Sequence, residues 1–186
     1  MTKKTTYKII LAASLIAFGA IGRILLQDLP NIETITVISL LAGSLLGFRF
    51  AIAIPLITIA ITDIIIGNNT IMLFTWSAFA VIGIFGWLLR NKKNFSPKFI
   101  FQMTGMGVGA ALFFYVYTNF GVWLLFPMYP HTLQGLAACY IAGIPFLKFS
   151  LAGNLIIVPA ASIGFTYLWK RFLYPETKKQ LAEKKA

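Results

Sequence analysis

Two ionisable side chains lie inside apolar stretches of this sequence, where charged groups are rare. Arg23 lies near the end of the first apolar run, and Asp63 lies near the end of the third. A charge at membrane depth is costly, so it usually pairs with another charge or belongs to a functional site. Asp63 would also lie at the C-terminal end of a helix, where the helix dipole disfavours a carboxylate. Arg23, Lys148, water or a ligand must therefore offset Asp63, and both a structural ion pair and a binding role fit this pattern.

A second set of polar residues lies between residues 118 and 154, and all of them except Asn154 fall within a long uncharged stretch that runs from Phe99 to Leu147. Buried amides need hydrogen-bond partners, whereas Trp and Tyr at a membrane edge also form an ordinary interfacial belt. The set combines amides, a histidine and aromatic side chains with polar edges: Asn119, Trp123, Tyr129, His131, Tyr140 and Asn154. Such a mixture is typical of a pocket for a small, neutral or weakly charged molecule.

Three prolines interrupt the same segment, at Pro127, Pro130 and Pro145. Proline breaks helices because it lacks the N–H group and clashes with the preceding turn. Irregular backbone at membrane depth is tolerated only inside protein or along a wet cavity. We therefore predict that residues 118–154 form a partly embedded outer loop that closes over a site.

Patterns for catalysis and for metal binding are missing from the sequence. It contains no paired carboxylates, no G-x-S-x-G, no H-E-x-x-H and no phosphate loop. His131 has no second histidine beside it, which argues against a zinc or iron site. Cys139 is the single cysteine, and it fits either a small buried hydrophobic residue or a thiolate ligand to a corrinoid cobalt. We predict a protein that is not an enzyme and that holds no metal or other cofactor.

Membrane helices are the elements that must position these residues. The chain has 186 residues, of which 59% are hydrophobic and 11% charged, whereas a soluble domain carries about 25% charged residues. About 20 apolar residues make one span, and six runs qualify: 9–26, 34–47, 50–66, 71–89, 99–117 and 149–169. A seventh run, 135–147, is too short and contains Pro145. We predict an all-α integral membrane protein of six transmembrane helices, with one domain over 1–186 and basic tails at 1–8 and 170–186.

The net charge of +11 is distributed as in a membrane protein. Basic residues lie at the ends of apolar runs, and no basic stripe with interleaved aromatics suggests nucleic-acid binding. All Lys and Arg residues except Arg23 and Lys148 fall on one side of the predicted bundle. The positive-inside rule then predicts a multi-pass protein of the cell membrane with both termini in the cytoplasm. The N-terminal run has no A-x-A-like cleavage site, so we interpret it as a retained span.

This topology places the polar groups together at the outer surface. The site is predicted between the 26–33 loop, the 63–69 end of the third span and the 119–154 segment. Asn31 and Asn68 join the predicted ligand-binding residues there, beside Arg23 and Asp63.

Small residues on the first span form a separate feature. Ala13 and Ala17 are four positions apart, so they share one helix face. Small residues let helices approach closely in lipid. The pair is interpreted either as packing within the bundle or as a docking face for a partner membrane protein.

Several motifs resemble one known family. They are the run from Leu41 to Gly47, the third span ending in Thr62-Asp63, and the Ala13-x-x-x-Ala17 pair. Together with the six-span plan, these features resemble the S components, the substrate-binding membrane subunits of energy-coupling factor (ECF) vitamin importers. Residues 118–123, 129–135 and 139–146 look like an uncharacterised subgroup of that clan.

The resemblance implies an importer without its own motor. Such a subunit captures a vitamin or similar micronutrient from outside and works with a separate T component and ATPase subunits, with Ala13 and Ala17 as the docking contact. Two alternatives stay open: a solitary S-component-like transporter, for example of a corrinoid, and a small membrane assembly protein without transport activity.

Overall fold

Six helices make up most of the chain in the computed structural model, which describes residues 3–90 and 96–172. They are α1 (Lys3–Leu25), α2 (Ile35–Leu41), α3 (Phe48–Ile66), α4 (Met72–Leu88), α5 (Pro97–Leu125) and α6 (Leu133–Phe172). A π-helical turn, Ala42–Leu46, extends α2. The described ranges contain no β-strand, so the all-α prediction is confirmed. Most of the predicted C-terminal tail and part of the basic loop before α5 lie outside these ranges.

Four of the helices are long and apolar enough to cross a membrane. They are Thr5–Leu25 of α1, Phe48–Ile66, Pro97–Leu125 and the 40-residue α6. These helices make the chain a membrane protein. The other two apolar helices, Ile35–Leu46 and Met72–Leu88, are shorter than a full span.

The short second helix lies at the centre of the bundle. Every residue from Thr34 to Leu46 is buried, and α2 contacts α1, α3, α4, α5 and α6. A helix surrounded by protein does not need the length of a lipid-facing span, which explains how this 12-residue apolar segment fits. Gly47 ends it with φ of +105°, a conformation that side chains with a Cβ rarely adopt.

Glycines let α4 pack directly against its neighbours. A Cβ at Gly83 would overlap the backbone carbonyl of Ala51 in α3, and a Cβ at Gly86 would overlap that of Leu40 in α2. Gly43 lies against the backbone of α4 on the same side. Such contacts without side chains are a usual way for helices to associate in membranes.

The predicted embedded loop at 118–154 is wrong. The helix α5 continues through Asn119 to Leu125, α6 begins at Leu133, and only residues 126–132 connect them. Pro127 and Pro130 lie in this connection, but Pro145 lies inside α6. Proline removes one helical hydrogen bond, yet a helix in apolar surroundings continues past it because other partners for the backbone are absent. The polar residues are therefore carried by a helical hairpin, α5–α6.

Candidate functional site

Arg23 and Asp63 form an ion pair between α1 and α3, with Arg23 Nη1 2.7 Å from Asp63 Oδ1. Arg23 also donates to the Thr62 hydroxyl. The other carboxylate oxygen, Asp63 Oδ2, accepts hydrogen bonds from Trp76 Nε1, at 2.8 Å, and from Asn68 Nδ2. Arg23 is thus the partner that offsets Asp63, and the structural ion-pair interpretation is confirmed.

Next to this pair lies a cavity of about 240 Å³, called here the first cavity. It lies under the connection between α1 and α2, and all six helices contribute to its wall. Its polar lining is Arg23, Gln27, Asn31, Glu33, Thr36, Thr75 and Ser150, and the aromatic part of the wall is Phe79 and Phe114. The ends of the helices therefore converge on a partly polar, partly aromatic space.

Glu33 is the charged lining residue that the sequence analysis did not name as a site residue. Its carboxylate accepts hydrogen bonds from the Thr36 backbone N–H, at 2.9 Å, and from the Thr36 hydroxyl, at 2.5 Å. Burial raises the pKa of Glu33 above its ordinary value, while the hydrogen bonds from Thr36 and the positive charge of Arg23 oppose this rise. The available signal was an acid placed just before an apolar helix, because the N-terminal helix dipole favours a carboxylate.

A second cavity, of about 390 Å³, lies between the hairpin and the start of α4. Asn31, Thr75 and Phe114 line both cavities, so the two spaces adjoin. The hairpin contributes Thr118, Asn119, Met128, Tyr129, Cys139, Gly143 and Phe146. The two cavities adjoin at one end of the bundle, where the 26–33 loop and the hairpin segment of the predicted site contribute lining residues and the 63–69 end of the third span contributes only Ile66.

Side chains of the hairpin tie its two helices together. Tyr115 donates to the Tyr140 carbonyl at 2.6 Å, and Tyr140 donates to the Val116 carbonyl at 3.0 Å. The Cys139 thiol lies 3.3 Å from the carbonyl of Asn119. These bonds satisfy polar groups between helices α5 and α6 and hold the hairpin in one arrangement.

The connection of the hairpin is fixed in the same way. Trp123 donates to the Pro130 carbonyl at 3.0 Å, and its ring packs against Phe120 and His131, with centroids 5.6 and 5.3 Å away. His131 itself is exposed. The aromatic ring of Trp123 is therefore engaged within the protein.

The predicted ligand-binding residues divide into two groups. Arg23, Asn31, Asn119 and Tyr129 line the cavities. The others lie outside the lining. Asp63 and Asn68 lie behind Arg23, and the hairpin contacts involve Trp123, His131 and Tyr140. Asn154 is buried, with Nδ2 3.0 Å from the Gly107 carbonyl. A ligand role for each of these residues stays a prediction.

The described parts of the chain, 3–90 and 96–172, contain no group of three His, Cys, Asp or Glu residues that could hold a metal ion.

Fold and site together define an all-α membrane protein with a partly polar, partly aromatic cavity region at one end of its helix bundle. The chain belongs to a family of unknown function, DUF6580, whose profile matches residues 3–180. Neither the curated proteins nor the solved structures include a match to the chain.

Proposed function

We propose that the chain is the substrate-capturing membrane subunit of an ECF-type importer for a vitamin or a similar small micronutrient. The observation that carries the proposal is the pair of adjoining cavities, whose walls are formed by all six helices. The second cavity, of about 390 Å³, lies within the usual range of ligand pockets, about 300–1,000 Å³, and the first, of about 240 Å³, adjoins it. In this proposal a separate T component and ATPase subunits supply the energy.

The proposed topology has six spans, with both termini in the cytoplasm and the cavities at the outer face of the cell membrane. The buried α2, with the π-helical turn that extends it, counts as one of these spans. Basic residues at the helix ends far from the cavities support this orientation: Arg49 at the start of α3, Arg90 after α4, Lys98 at the start of α5 and Lys170 at the end of α6. Lys and Arg concentrate on the cytoplasmic side of membrane proteins.

Labelling of single cysteines tests this orientation in a Cys139→Ser background. A cysteine at Asn68, which is exposed in the turn after α3, should react with an impermeant maleimide in intact cells. A cysteine at Lys178, beyond the described residues, should react only after the cells are permeabilised. Reaction of position 178 in intact cells would contradict the proposed topology.

Exposure of Ala13 and Ala17 supports a docking face on α1. Both side chains are exposed, whereas Ala12 and Gly19 on the same helix are buried, and Gly19 packs against Ile38 of α2. The interpretation of Ala13 and Ala17 as packing within the bundle is therefore wrong. A face of small residues on the outer surface of α1 fits close approach by a partner helix.

Ala13→Trp and Ala17→Trp should each prevent assembly with the T component, because a bulky ring keeps two helix backbones apart. Ligand binding should persist, since both positions are remote from the cavities. Ala53→Trp is the matched control, because Ala53 is an exposed alanine on α3. Co-purification of the complex from cells that express all components is the measurement. Intact complexes with both α1 variants would place the docking face elsewhere.

Native mass spectrometry of the gently purified protein tests substrate capture itself. We expect a small molecule to stay bound to the wild-type protein. It should be lost when Asn31 and Tyr129 are changed to Ala. Co-purification with a T component and ATPases then separates an ECF-type subunit from a solitary transporter. A bound corrinoid would instead support the solitary alternative. A protein that never retains or binds a small molecule would favour an assembly role.

A further inference from the structure

The charged groups at the first cavity do not balance once Asp63, which lies behind the lining residue Arg23, is counted. Arg23 is already paired with Asp63, at 2.7 Å. Glu33 lines the same cavity, and among the described residues no Lys, Arg or His lies within ion-pair distance of it. The cluster of Arg23, Asp63 and Glu33 therefore carries one net negative charge when all three groups are ionised.

Thr36 holds the Glu33 carboxylate in place without neutralising it. The Thr36 N–H and hydroxyl supply two hydrogen bonds, and an ionised carboxylate has about four acceptor positions. The group thus keeps acceptor capacity for a further donor. Glu33 is partly buried, and Arg23 acts on it only from beyond ion-pair distance, so a bound cation would relieve the remaining cost of holding this carboxylate away from water.

The apolar part of the wall fits the same type of ligand. Phe79 and Phe114 line the cavity with Glu33. Aromatic faces attract cations through the negative potential above the ring, and this attraction strengthens away from water. Asn31 and Ser150 add uncharged hydrogen-bonding groups to the lining. Apart from Arg23, which is paired with Asp63, the wall therefore offers one charged group, the Glu33 carboxylate, and two aromatic rings.

We propose that the first cavity binds a small organic cation, with Glu33 as its counter-ion and Phe79 and Phe114 as its apolar wall. This inference rests on the proposed function, because it names the substrate class of the same site.

Three probes of similar size and different charge test the inference on the full-length protein in detergent. Benzylammonium, benzyl alcohol and benzoate carry a positive charge, no charge and a negative charge. Benzylammonium should raise the melting temperature in a saturable way, and the other two should raise it less or not at all. Equal or stronger effects of benzyl alcohol or benzoate would overturn the inference. The absence of any benzylammonium effect up to concentrations of tens of millimolar would do the same.

Glu33→Gln separates the binding role from a structural one. Glutamine keeps an oxygen that can accept the Thr36 N–H, so the start of α2 stays capped, and removal of this partly buried charge should leave the melting temperature equal or higher. The affinity for benzylammonium should fall at least about tenfold, as for loss of a charged hydrogen-bonding partner. Asp28→Asn is the control, since Asp28 is an exposed acid in the same connection.

Wild-type affinity in Glu33→Gln would refute the role of Glu33. If the variant does not fold, the comparison of the three probes on the wild-type protein still decides. The mass of the natural ligand from native mass spectrometry separates the two proposals. A bound neutral or anionic molecule would refute the cation inference and leave substrate capture standing, whereas no binding of any small molecule would refute both.

Discussion

Gly83→Ala will prevent the normal packing of the bundle, whereas Gly109→Ala will leave it intact. A Cβ at Gly83 would overlap the backbone carbonyl of Ala51, which cannot move aside as the end of a flexible side chain can. Nothing lies within 4 Å of a Cβ at Gly109. Insertion of extra atoms into a packed core costs about 1–3 kcal/mol, and an overlap with backbone places Gly83→Ala at or above the upper end of this range.

Thermal unfolding and size-exclusion profiles of the two variants in the same detergent provide the measurement. The substitution is the same in both, so the change in helix propensity is the same, and alanine at an open helical position should be neutral or slightly stabilising. A Gly83→Ala protein with the melting temperature of Gly109→Ala would mean that α3 and α4 are further apart than the structure shows.

Asp63→Ala should destabilise the protein because it leaves Arg23 without its ionic partner and removes the acceptor used by Trp76 and Asn68. The Asp63 side chain is 8% exposed and that of Arg23 27%, so water compensates only part of the loss. We expect the free energy of unfolding to fall by about 2 kcal/mol. This value lies between the contribution of an exposed ion pair, under about 1 kcal/mol, and the cost of breaking a buried pair, about 3–5 kcal/mol.

The double variant Arg23→Met/Asp63→Ala shows whether the charge left on Arg23 is the cause. Removal of both charges should restore much of the lost stability, because the largest penalty of a broken pair comes from the charge that remains. Melting temperatures of the wild type, both single variants and the double variant complete the thermodynamic cycle. Strictly additive losses would show that Arg23 and Asp63 do not interact.

The sequence predicted the helices well where apolar composition alone determines them. The predicted starts and ends of α3 and α4 agree with the structure within one or two residues, and α3 ends just before Gly67, whose φ is +87°. The Arg23–Asp63 pair could also be predicted from the sequence, because two opposite charges at similar depth in apolar helices have few other partners.

The hairpin was not predicted, because its polar side chains were interpreted as evidence of a site and not of contacts between helices. Tyr140, Cys139 and Trp123 bond to backbone carbonyls of the opposite helix or of the connection. Such partners become visible only when the register of α5 against α6 is known. The location of the cavities could be predicted from the convergence of polar segments. Glu33 could be identified as a lining residue only from its position just before a buried helix.

The length of α6 has a consequence for the way in which the protein fits its bilayer. Its 40 residues extend about 60 Å, twice the thickness of the hydrocarbon layer of about 30 Å. Even at the largest usual tilt, about 40°, it would still rise about 46 Å along the membrane normal. Part of α6 must therefore leave the hydrocarbon layer, although Leu133, Ile141 and Phe146 are exposed apolar residues in its first half.

This hydrophobic mismatch couples the hairpin to the lipid. A thicker bilayer covers more of the exposed apolar surface, and a thinner one leaves more of it in the headgroup region. Because Cys139, Gly143 and Phe146 of the same half form a wall of the second cavity, we expect acyl-chain length to affect the helix that borders this space. The thickness of the surrounding bilayer should therefore influence the conformation of the hairpin, and not only the stability of the purified protein.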